Sequence, residues 1–448
     1  MPTVTTPEQG GPASARLEPD EPIPGGAVNA TPAVGQPAVG QQAPGAPASR
    51  FRQTFVALEE RDFRIFWLGQ LVSVTGTWMQ TVAQGWLVLV LTGSPFVLGV
   101  AAAVRSLPVL LLALPAGYVA DRFDRRVIIL CTTTVATIAS GALGILAVAN
   151  RADINTVLIL AGVLGVTNAF ELPARQSYVS ELAGKRNLAN AIALNSLLFN
   201  SARVVGPAIA GILVAIVGPG WAFILNSLSF LAVIASLLLI RRIHVPRLGV
   251  AARSAVPEVI AYLRSEPRVT VLLGLLAAQT IFASGQFILA PSLAQDLGQG
   301  AEGLGVLLAA SGAGAVVGGL RLAATAARTN RSRLLAGAGL AIAVGLTGIG
   351  ISQSYPITLL CFVIAGWGTV TFNASSNTLL QTITPDRLRG RIMSLYMVAL
   401  LGLMPFGGVL LGALADRLGS AVAVAIGGVV YGAIIAVAFV VSRSLRRL

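Results

Sequence analysis

From Phe63 onward, the chain alternates between long apolar segments and short polar connections. Each apolar segment contains about 20 residues or more, enough for a helix to cross the hydrocarbon core of a bilayer. Several connections are as short as Gly218-Pro219-Gly220, so the helices on either side must run antiparallel. The pattern predicts an all-α membrane protein with twelve transmembrane helices, numbered here as spans 1–12: 64–91, 95–120, 127–149, 154–177, 190–217, 220–240, 268–294, 303–326, 333–353, 356–380, 391–415 and 420–442.

Two regions interrupt this pattern. Residues 1–50 contain 10 of the 23 prolines, and we expect a disordered cytoplasmic tail because such a segment buries too little apolar surface to offset its ordering. Residues 241–267 separate spans 6 and 7 and contain an amphipathic stretch at 256–264. We predict a cytoplasmic linker with a surface helix there, between an N-terminal six-helix bundle (51–240) and a C-terminal six-helix bundle (268–448).

Composition agrees with a membrane environment. The chain is 55% hydrophobic and only 11% charged, whereas soluble domains contain about 25% charged residues. A water-soluble protein of 448 residues would have too few charges to cover its surface. The net charge of +13 therefore does not indicate nucleic acid as a partner.

The basic residues predict the orientation of the spans. With the N-terminus in the cytoplasm, 26 of the 31 Lys and Arg residues fall on the cytoplasmic side. Only Arg151 and Arg417 fall on the opposite side, and three arginines lie within spans. Cytoplasmic loops of membrane proteins carry such an excess of basic residues. We therefore expect a multi-pass protein of the inner (plasma) membrane with both termini in the cytoplasm.

The two predicted halves share a glycine pattern. Leu98-Gly99-Val100 recurs near the start of span 8 as Leu304-Gly305-Val306. Three glycines of the first half also recur 201 residues later, in the order Gly206, Gly211, Gly218 and then Gly407, Gly412, Gly419. Parallel six-helix repeats with a binding site at their interface are one plan of membrane transporters.

The sequence offers little catalytic chemistry. The single histidine, His244, lies beside Arg241 and Arg242 in the linker, where a solvated side chain is expected. Cys131 and Cys361 lie in separate apolar spans, where a cysteine packs as a small hydrophobic residue. No phosphate-binding G-x-x-x-x-G-K-S/T loop is present. We predict a protein that is not an enzyme and that uses no cofactor and no metal.

The connection after span 2 reads GYVADRFDRR, from Gly117 to Arg126. It resembles the signature loop of the major facilitator superfamily, G-x-x-x-D-R-x-G-R-R, with Asp124 in place of the second glycine. The wider sequence, including NAFELPARQ and NSLLFNSARVVGPAIAG, resembles the enterobactin-exporter-like branch of that superfamily over about residues 55–442. The resemblance implies the major facilitator fold, in which two six-helix halves rock about a central cavity.

The resemblance also implies a gating role for this loop, in which it locks one of the alternating states. A carboxylate at a helix end accepts hydrogen bonds from arginines and from the N-terminal amides of another helix. Arg389 and Arg391, at the start of span 11, are the expected partners across the interface between the halves. The alternative is a charge cluster that only sets the topology. The candidate gating residues are Gly117, Asp121, Arg122, Arg125 and Arg126.

Span 5 contains the sequence Gly206-Pro207-Ala-Ile-Ala210-Gly211, three residues after Arg203. It resembles the G-P-x-x-G-G element of antiporters in the superfamily, with Ala210 replacing one glycine, and this resemblance implies export. Proline removes a backbone donor and bends a helix, while small residues allow close packing. Ordinary helix packing explains the same residues equally well.

Span 1 carries a polar face within its apolar sequence. At 100° per residue, six polar side chains fall within an arc of about 100°: Gln70, Ser73, Thr77, Gln80, Thr81 and Gln84. In span 7, the counterpart of span 1, Gln279 and Gln286 are seven residues apart and are expected on one face. Polar groups at membrane depth face protein or water. These eight residues are the candidate lining of a substrate cavity, with interhelical hydrogen bonding as the alternative.

Four charged side chains that are not assigned to a loop or to the cytoplasmic side fall inside the predicted spans: Arg105, Glu171, Arg175 and Arg203. Such groups are costly in lipid and are functional candidates by default. Glu171 is the acidic member, so it is the candidate proton carrier. Glu171 and Arg175 are four residues apart on one helix, so a structural ion pair is the alternative.

Together these features predict a secondary active transporter. We expect a monomer in the lipid bilayer that exports a small amphipathic organic molecule, such as a drug or a siderophore-like metabolite, by alternating access with proton antiport. One alternative is an uptake transporter of the same fold. The other is a membrane receptor or assembly partner that transports nothing.

Overall fold

The computed structural model describes residues 55–240, 256–325 and 331–442. The predicted tail, residues 1–50, lies outside these ranges. Within them the chain begins with a short 3-10 turn at Val56–Glu59 and is otherwise helical, without a strand. The first helices are α1 (Arg61–Thr92), α2 (Pro95–Leu111), α3 (Ala113–Arg122), α4 (Arg125–Val148), α5 (Ile154–Gly184), α6 (Arg186–Val217) and α7 (Pro219–Leu239).

A helix at the end of the linker, α8 (Val256–Ser265), leads into the second set. The following helices are α9 (Pro267–Phe282), α10 (Gly285–Ile288), α11 (Ala290–Asp296), α12 (Ala301–Thr325), α13 (Arg331–Ile351), α14 (Tyr355–Ile383), α15 (Asp386–Met397), α16 (Met404–Leu418) and α17 (Ser420–Val441).

Residues in the short connections determine where the helices begin and end. Gly93 adopts a left-handed conformation (φ 63°) that ends α1. The Ser94 hydroxyl oxygen then accepts a hydrogen bond from the amide of Val97 at 3.4 Å, which caps α2. Asp153 caps α5 by accepting from the amide of Thr156 at 3.3 Å. The Thr156 hydroxyl also donates to this carboxylate and lowers the pKa of Asp153. Such caps satisfy backbone groups that the helix leaves without partners.

The helices match the lengths that a bilayer requires. In the described ranges, ten helices are long and apolar enough to cross a membrane, or eleven if the bent pair α2–α3 forms one span. Helix α1 is not among them, although its 32 residues extend for about 48 Å. Its polar face lowers its mean hydropathy. The all-α membrane architecture is confirmed, and the count of twelve spans stays a prediction.

Three predicted spans are interrupted rather than continuous. In span 2, α2 and α3 meet at a bend of 57°, where Pro108 and Pro115 remove backbone donors. Span 7 is divided into α9, α10 and α11 by breaks at Ala283 and Leu289. Span 11 contains a π-helical segment at Val398–Gly402 between α15 and α16.

The helices pack first within each half of the chain. In the N-terminal half, α1 and α4 pack against α7, and in the C-terminal half α13 packs against α14 and α17. The two most extensive contacts between the halves are α2 with α16 and α6 with α12. The predicted repeat relates span 2 to span 8 and span 5 to span 11. The contact of α2 (span 2) with α16 (span 11) is therefore the repeat equivalent of the contact of α12 (span 8) with α6 (span 5).

Glycines make both of these contacts. An added Cβ on Gly99 of α2 would lie 2.1 Å from the carbonyl oxygen of Gly408 in α16 and 3.4 Å from the Cα of Gly412. An added Cβ on Gly305 of α12 would lie 2.7 Å from the Cα of Gly211 in α6. The helices therefore approach backbone to backbone. We call these two contacts the glycine seams.

The bundle has two distinct ends. The tight-turn end carries the short connections at 93–94, 149–153 and 352–354, and the linker end carries residues 123–124, 240 and 384–385. In the predicted orientation the linker end is cytoplasmic. Gly99 and Gly305 are each the fifth residue of a helix that starts at the tight-turn end. Both glycine seams therefore lie towards that end.

Candidate functional site

Gln80 lies at the centre of a buried hydrogen-bond cluster. Its side-chain oxygen accepts from the Ser140 hydroxyl at 2.7 Å and from the Asn226 amide. Ser229 donates to the Asn226 side-chain oxygen at 3.0 Å. Gly76 permits this contact, because an added Cβ there would lie 2.5 Å from that oxygen. The cluster connects α1 to α4 and α7. Gln80 therefore makes interhelical hydrogen bonds, the alternative to lining a substrate cavity.

Two other glutamines of the polar face meet buried arginines. The oxygen of Gln70 accepts from an Nη of Arg175 at 3.4 Å, and the oxygen of Gln84 accepts from an Nη of Arg105 at 3.2 Å. Both glutamine side chains are buried. They join α1 to α5 and α2, so they also connect helices within the N-terminal half.

The hydroxyl members of the face are more accessible. Ser73 is buried and Thr77 is half-buried, whereas Thr81 is exposed. Thr77 and Thr81 each donate to the carbonyl oxygen four residues earlier, at 3.0 and 2.9 Å. The exposed apolar residues Leu68 and Val72 lie on the opposite side of α1 from Thr81, because a helix turns 100° per residue. Thr81 thus belongs to the side of α1 that faces away from lipid.

The two glutamines of span 7 do not share one helix. Gln279 lies in α9 and Gln286 in α10, with the break at Ala283 between them, so the seven-residue spacing does not place them on one helical face. Both are buried, and the side-chain oxygen of each has no hydrogen-bond partner in the described ranges. These oxygens leave acceptor capacity unused in the interior.

Arg203 lies in α6 between residues of both halves. Its guanidinium carbon is 5.8 Å from the ring centroid of Trp78 in α1 and 4.7 Å from that of Phe287 in α10. Phe287 was not among the site residues predicted from the sequence. No carboxylate of the described residues pairs with this arginine, and its Nε is buried without a hydrogen-bond partner. The contacts are those of a cation held by aromatic faces.

Glu171 and Arg175 form an ion pair within α5, with 3.1 Å between Oε1 and Nη1. Each side chain is 15% exposed. Arg175 also lies 5.2 Å from the ring centroid of Phe199 and donates to Gln70. The carboxylate is therefore part of a network that includes α1, α5 and α6.

The antiporter-like residues of α6 pack on two sides. An added Cβ on Gly206 would lie 2.6 Å from the Cβ of Trp78, so this glycine admits α1. The carbonyl of Pro207 and the Cα of Gly211 face Gly305 of α12. The motif therefore forms one glycine seam and supports the residues beside Arg203.

The Asp121 carboxylate is exposed at the linker end. It has no hydrogen-bond or ion-pair partner in the part of the chain that the structure describes. Arg389 pairs with Asp386 at 2.6 Å, and Arg391 pairs with Glu258 of α8 at 3.0 Å. The expected contact between Asp121 and these arginines is absent from this conformation, because each arginine is held within its own half.

The other loop residues are also engaged locally. Arg125 forms an ion pair with Glu181 of α5. Arg122 donates to the hydroxyl of Tyr118, one turn earlier. The side chain of Asp124 caps α4 by accepting from the amide of Arg126 at 2.9 Å, while Gly117 borders open space. At Asp124 the sequence thus replaces the glycine of the signature with a helix cap.

One polar face was missed by the sequence analysis. Asn373, Asn377 and Gln381 recur every four residues along α14, and the side-chain oxygen of Asn373 is buried without a partner. Gln381 donates to Asn377. The spacing of three amides in an apolar span was the signal that could have revealed this face.

A match to a known protein family identifies the family of this chain. Residues 52–447 match a family of the major facilitator superfamily described as transmembrane secretion effector. The chain belongs to this family. It is therefore a multi-pass membrane transporter and not an enzyme, as the sequence predicted.

Characterised relatives include exporters of siderophores and drugs. The staphyloferrin A transporter of Staphylococcus aureus is 24% identical over 86% of this chain and 97% of its own length. The multidrug efflux pump Tap of Mycolicibacterium fortuitum is 27% identical over 78% and 88%. The enterobactin exporter EntS of Shigella flexneri is 26% identical over 86% and 93%. The predicted branch of the superfamily is confirmed.

Solved structures confirm the fold of this transporter. The nucleoside transporter NupG superposes with a TM-score of 0.69 over 85% of this chain and 98% of its own, at 11% identity. A bacterial homolog of the human lysosomal transporter Spinster, in an inward-facing and unoccupied conformation, gives 0.65 over 89% and 98%, at 16% identity. The protein is a secondary transporter with the major facilitator fold.

Proposed function

We propose that this transporter exports small amphipathic organic molecules of drug or siderophore type by alternating access, as a monomer in the inner membrane with both termini in the cytoplasm. The observation that carries the proposal is the position of Arg203 between Trp78 of one half and Phe287 of the other. A ligand bound there would contact both halves. The activities of the siderophore and drug exporters among the relatives support the substrate class.

Alternating access is supported by the difference between the ends of the bundle. Both glycine seams lie towards the tight-turn end, so the described contacts between the halves are concentrated there. Opening this end requires α2 to part from α16 and α6 from α12. Because the two seams are equivalent under the repeat, one rocking movement separates both.

The gating proposal concerns the opposite end. The Asp121 carboxylate is exposed in this conformation, and closing the linker end would bring the loop towards α15. Arg389 and Arg391 would then be available to it as donors in exchange for their present partners. Gating predicts that Asp121 acts in the transition between states rather than in substrate binding.

The coupling proposal concerns Glu171. Protonation of its carboxylate would release Arg175, which also contacts Gln70 of α1. The same pair also fits a structural role, because removing one partner of a buried ion pair is costly. Proton coupling therefore requires a functional test.

Efflux from proteoliposomes of known orientation tests the proposal. A fluorescent substrate should leave the cytoplasmic side faster when a pH gradient drives protons in the opposite direction. Glu171→Gln should abolish this pH dependence, while Glu302→Gln, at the tight-turn end, should preserve it. Flux that ignores the gradient in the unmodified protein would contradict antiport. Binding of substrates without counterflow of any of them would instead favour the receptor alternative.

We also propose two different roles for residues on the polar face of α1. We assign Thr81 to substrate contact, because it is exposed on the side away from lipid. Gln80 belongs to the support of the site through Ser140 and Asn226. Thr81→Ala should change the substrate profile at unchanged thermal stability, whereas Gln80→Ala should lower the stability.

A further inference from the structure

The buried charges of the N-terminal half do not balance. Glu171 neutralises Arg175 through their ion pair. Arg105 has only the neutral oxygen of Gln84 as a side-chain partner, and Arg203 has no carboxylate within the described ranges. An arginine side chain remains protonated in proteins. Two positive charges in the interior therefore lack a counter-charge, which is costly at membrane depth.

The geometry of Arg203 leaves its outer nitrogens available to a ligand. Only Nε is fully buried without a partner, and neither Nη makes a hydrogen bond to the described protein. The backbone holds the residue in place, because the Arg203 carbonyl lies 3.0 Å from where a Cβ of Gly312 in α12 would be. A guanidinium presents its free nitrogens as a planar fork that fits a carboxylate.

The surroundings of this fork are aromatic and contain a hydrogen-bond acceptor. The ring centroids of Trp78 and Phe287 lie 5.8 and 4.7 Å from the guanidinium carbon. Gln286, the residue before Phe287 in the chain, has a buried side-chain oxygen with no partner among the described residues. These groups complement a molecule with an apolar or aromatic body, an anionic group and hydroxyl or amide donors.

We propose that the central site binds organic anions, with a carboxylate of the substrate held by the Arg203 fork and its apolar body lying against Trp78 and Phe287. This inference rests on the proposed transport function and names the charge of its substrates. Arg105 adds a second positive charge beside Gln84, which lies six residues, about 9 Å, further along α1 than Trp78. The substrate supplies the counter-charge that the described residues do not provide.

The proposal also explains why the site needs both halves. In this conformation Phe287 covers one side of the Arg203 guanidinium from the C-terminal half. An unpaired cation resists enclosure in a medium of low polarity. A bound carboxylate removes this penalty, so the anion favours closure of the halves around the site.

Equilibrium binding of matched probes tests the inference. Dansylglycine and dansylglycinamide share one aromatic body and differ in the carboxylate, and 1-pyrenebutyrate and its amide form a larger pair. Binding to the full-length protein in nanodiscs is followed by energy transfer from tryptophan. The unmodified protein should bind each carboxylate about tenfold more tightly than its amide, as expected for a charge-assisted, two-point contact.

Three variants assign the preference to Arg203. Arg203→Gln should bring the carboxylate and amide affinities within twofold of each other and leave amide binding unchanged. Arg203→Lys, which keeps the charge without the fork, should retain part of the preference and serves if the Gln variant does not fold. Arg417→Gln, an equal charge change at the exposed tight-turn end, should bind like the unmodified protein.

The outcomes separate this inference from the proposed function. Equal or no binding of carboxylate and amide in both pairs by a protein that still transports would overturn the anion site and leave export intact. A carboxylate preference that survives Arg203→Gln would also overturn it. A carboxylate preference without counterflow of any substrate would support the anion site and contradict the transport proposal.

Discussion

The two ends of the bundle are held together in different ways. At the tight-turn end the halves contact each other through the backbones of paired glycines, and Ser94 of one half donates to Asp416 of the other at 2.8 Å. At the linker end the charged residues pair within a half. Arg125 binds Glu181 in the N-terminal half, and Arg387 binds Glu258 of the linker helix α8, which packs against α9 and α15 of the C-terminal half.

Under the proposed alternating access, the difference indicates which contacts change during transport. Two helices in contact through glycine backbones lose that contact as soon as they separate, because glycine has no side chain that could extend across the space between them. Ion pairs at the linker end can instead exchange partners between halves. We therefore interpret the tight-turn end as closed in this conformation. Contacts between the halves at the linker end would form in the opposite state.

The largest expected effect comes from filling a glycine seam. In Gly99→Ala the new Cβ would meet the carbonyl oxygen of Gly408, and a backbone atom cannot move away at low cost. Overpacking of this kind costs about 1–3 kcal/mol, so the state closed at the tight-turn end should lose about thirtyfold in population. Distances between spin labels at the exposed residues Arg151 and Gln353 should lengthen.

The control for this prediction is Gly274→Ala in α9, where an added Cβ would meet open space. This variant should keep the distances of the unmodified protein. If Gly99→Ala also left the label distances unchanged, the claim that the glycine seam closes the tight-turn end would be contradicted.

A smaller effect is expected from the unpaired carboxylate at the linker end. Asp121→Asn should reduce turnover by about tenfold, the loss of one charge-assisted contact, with less than a twofold change in substrate binding. Rates of counterflow and equilibrium binding measure the two quantities. Asp124→Asn is the matched control, because asparagine also caps a helix. Equal turnover in Asp121→Asn and the unmodified protein would leave the loop as a topology signal.

The side-chain contact between the halves should matter less than the seams. Ser94→Ala removes the bond to Asp416, a loss of about 1 kcal/mol from the closed state. It also removes the cap of α2, which lies within one half and is shared by both states. The closed population at the tight-turn end should fall by about fivefold, measured with the same spin-label pair. Ser354→Ala, at the start of α14 without a side-chain cap, is the control. A shift of equal size in both variants would contradict a specific role of the Ser94–Asp416 bond in closing the tight-turn end.

The smallest effect is expected where a contact stays within one half. Glu258→Gln removes the partner of Arg387 and Arg391 but crosses no interface. Exposed ion pairs contribute about 0–1 kcal/mol, so thermal stability should change little. The distances across both ends should be unchanged. A shifted distance at either end would show that α8 takes part in the movement.

The sequence predicted the helical membrane fold and the superfamily because apolar length and the signature loop are local features. The repeat of Leu98-Gly99-Val100 also marked Gly99 and Gly305 as equivalent. It did not reveal that each glycine faces the opposite half, because equivalence within a repeat carries no information about which helices touch. That relation required the packing of α2 against α16 and of α6 against α12.

The candidate site was predicted less completely than the fold. The periodicity of α1 located its polar face, but only the structure assigns Gln80 to α4 and α7 and leaves Thr81 exposed. The lone Asn226 in span 6 was a signal for a buried partner that the sequence analysis did not use. Phe287 was beyond prediction, because its contact with Arg203 depends on the break between α9 and α10.

The most direct test of the account measures both ends of the unmodified transporter in nanodiscs, in a background without Cys131 and Cys361. One pair of spin labels at Arg151 and Gln353 spans the tight-turn end, and a second pair at Phe123 and Thr382 spans the linker end; all four positions are exposed. The account predicts that substrate and pH shift the two distances in opposite directions, one lengthening as the other shortens. Distances that stay fixed, or that lengthen together, would contradict it.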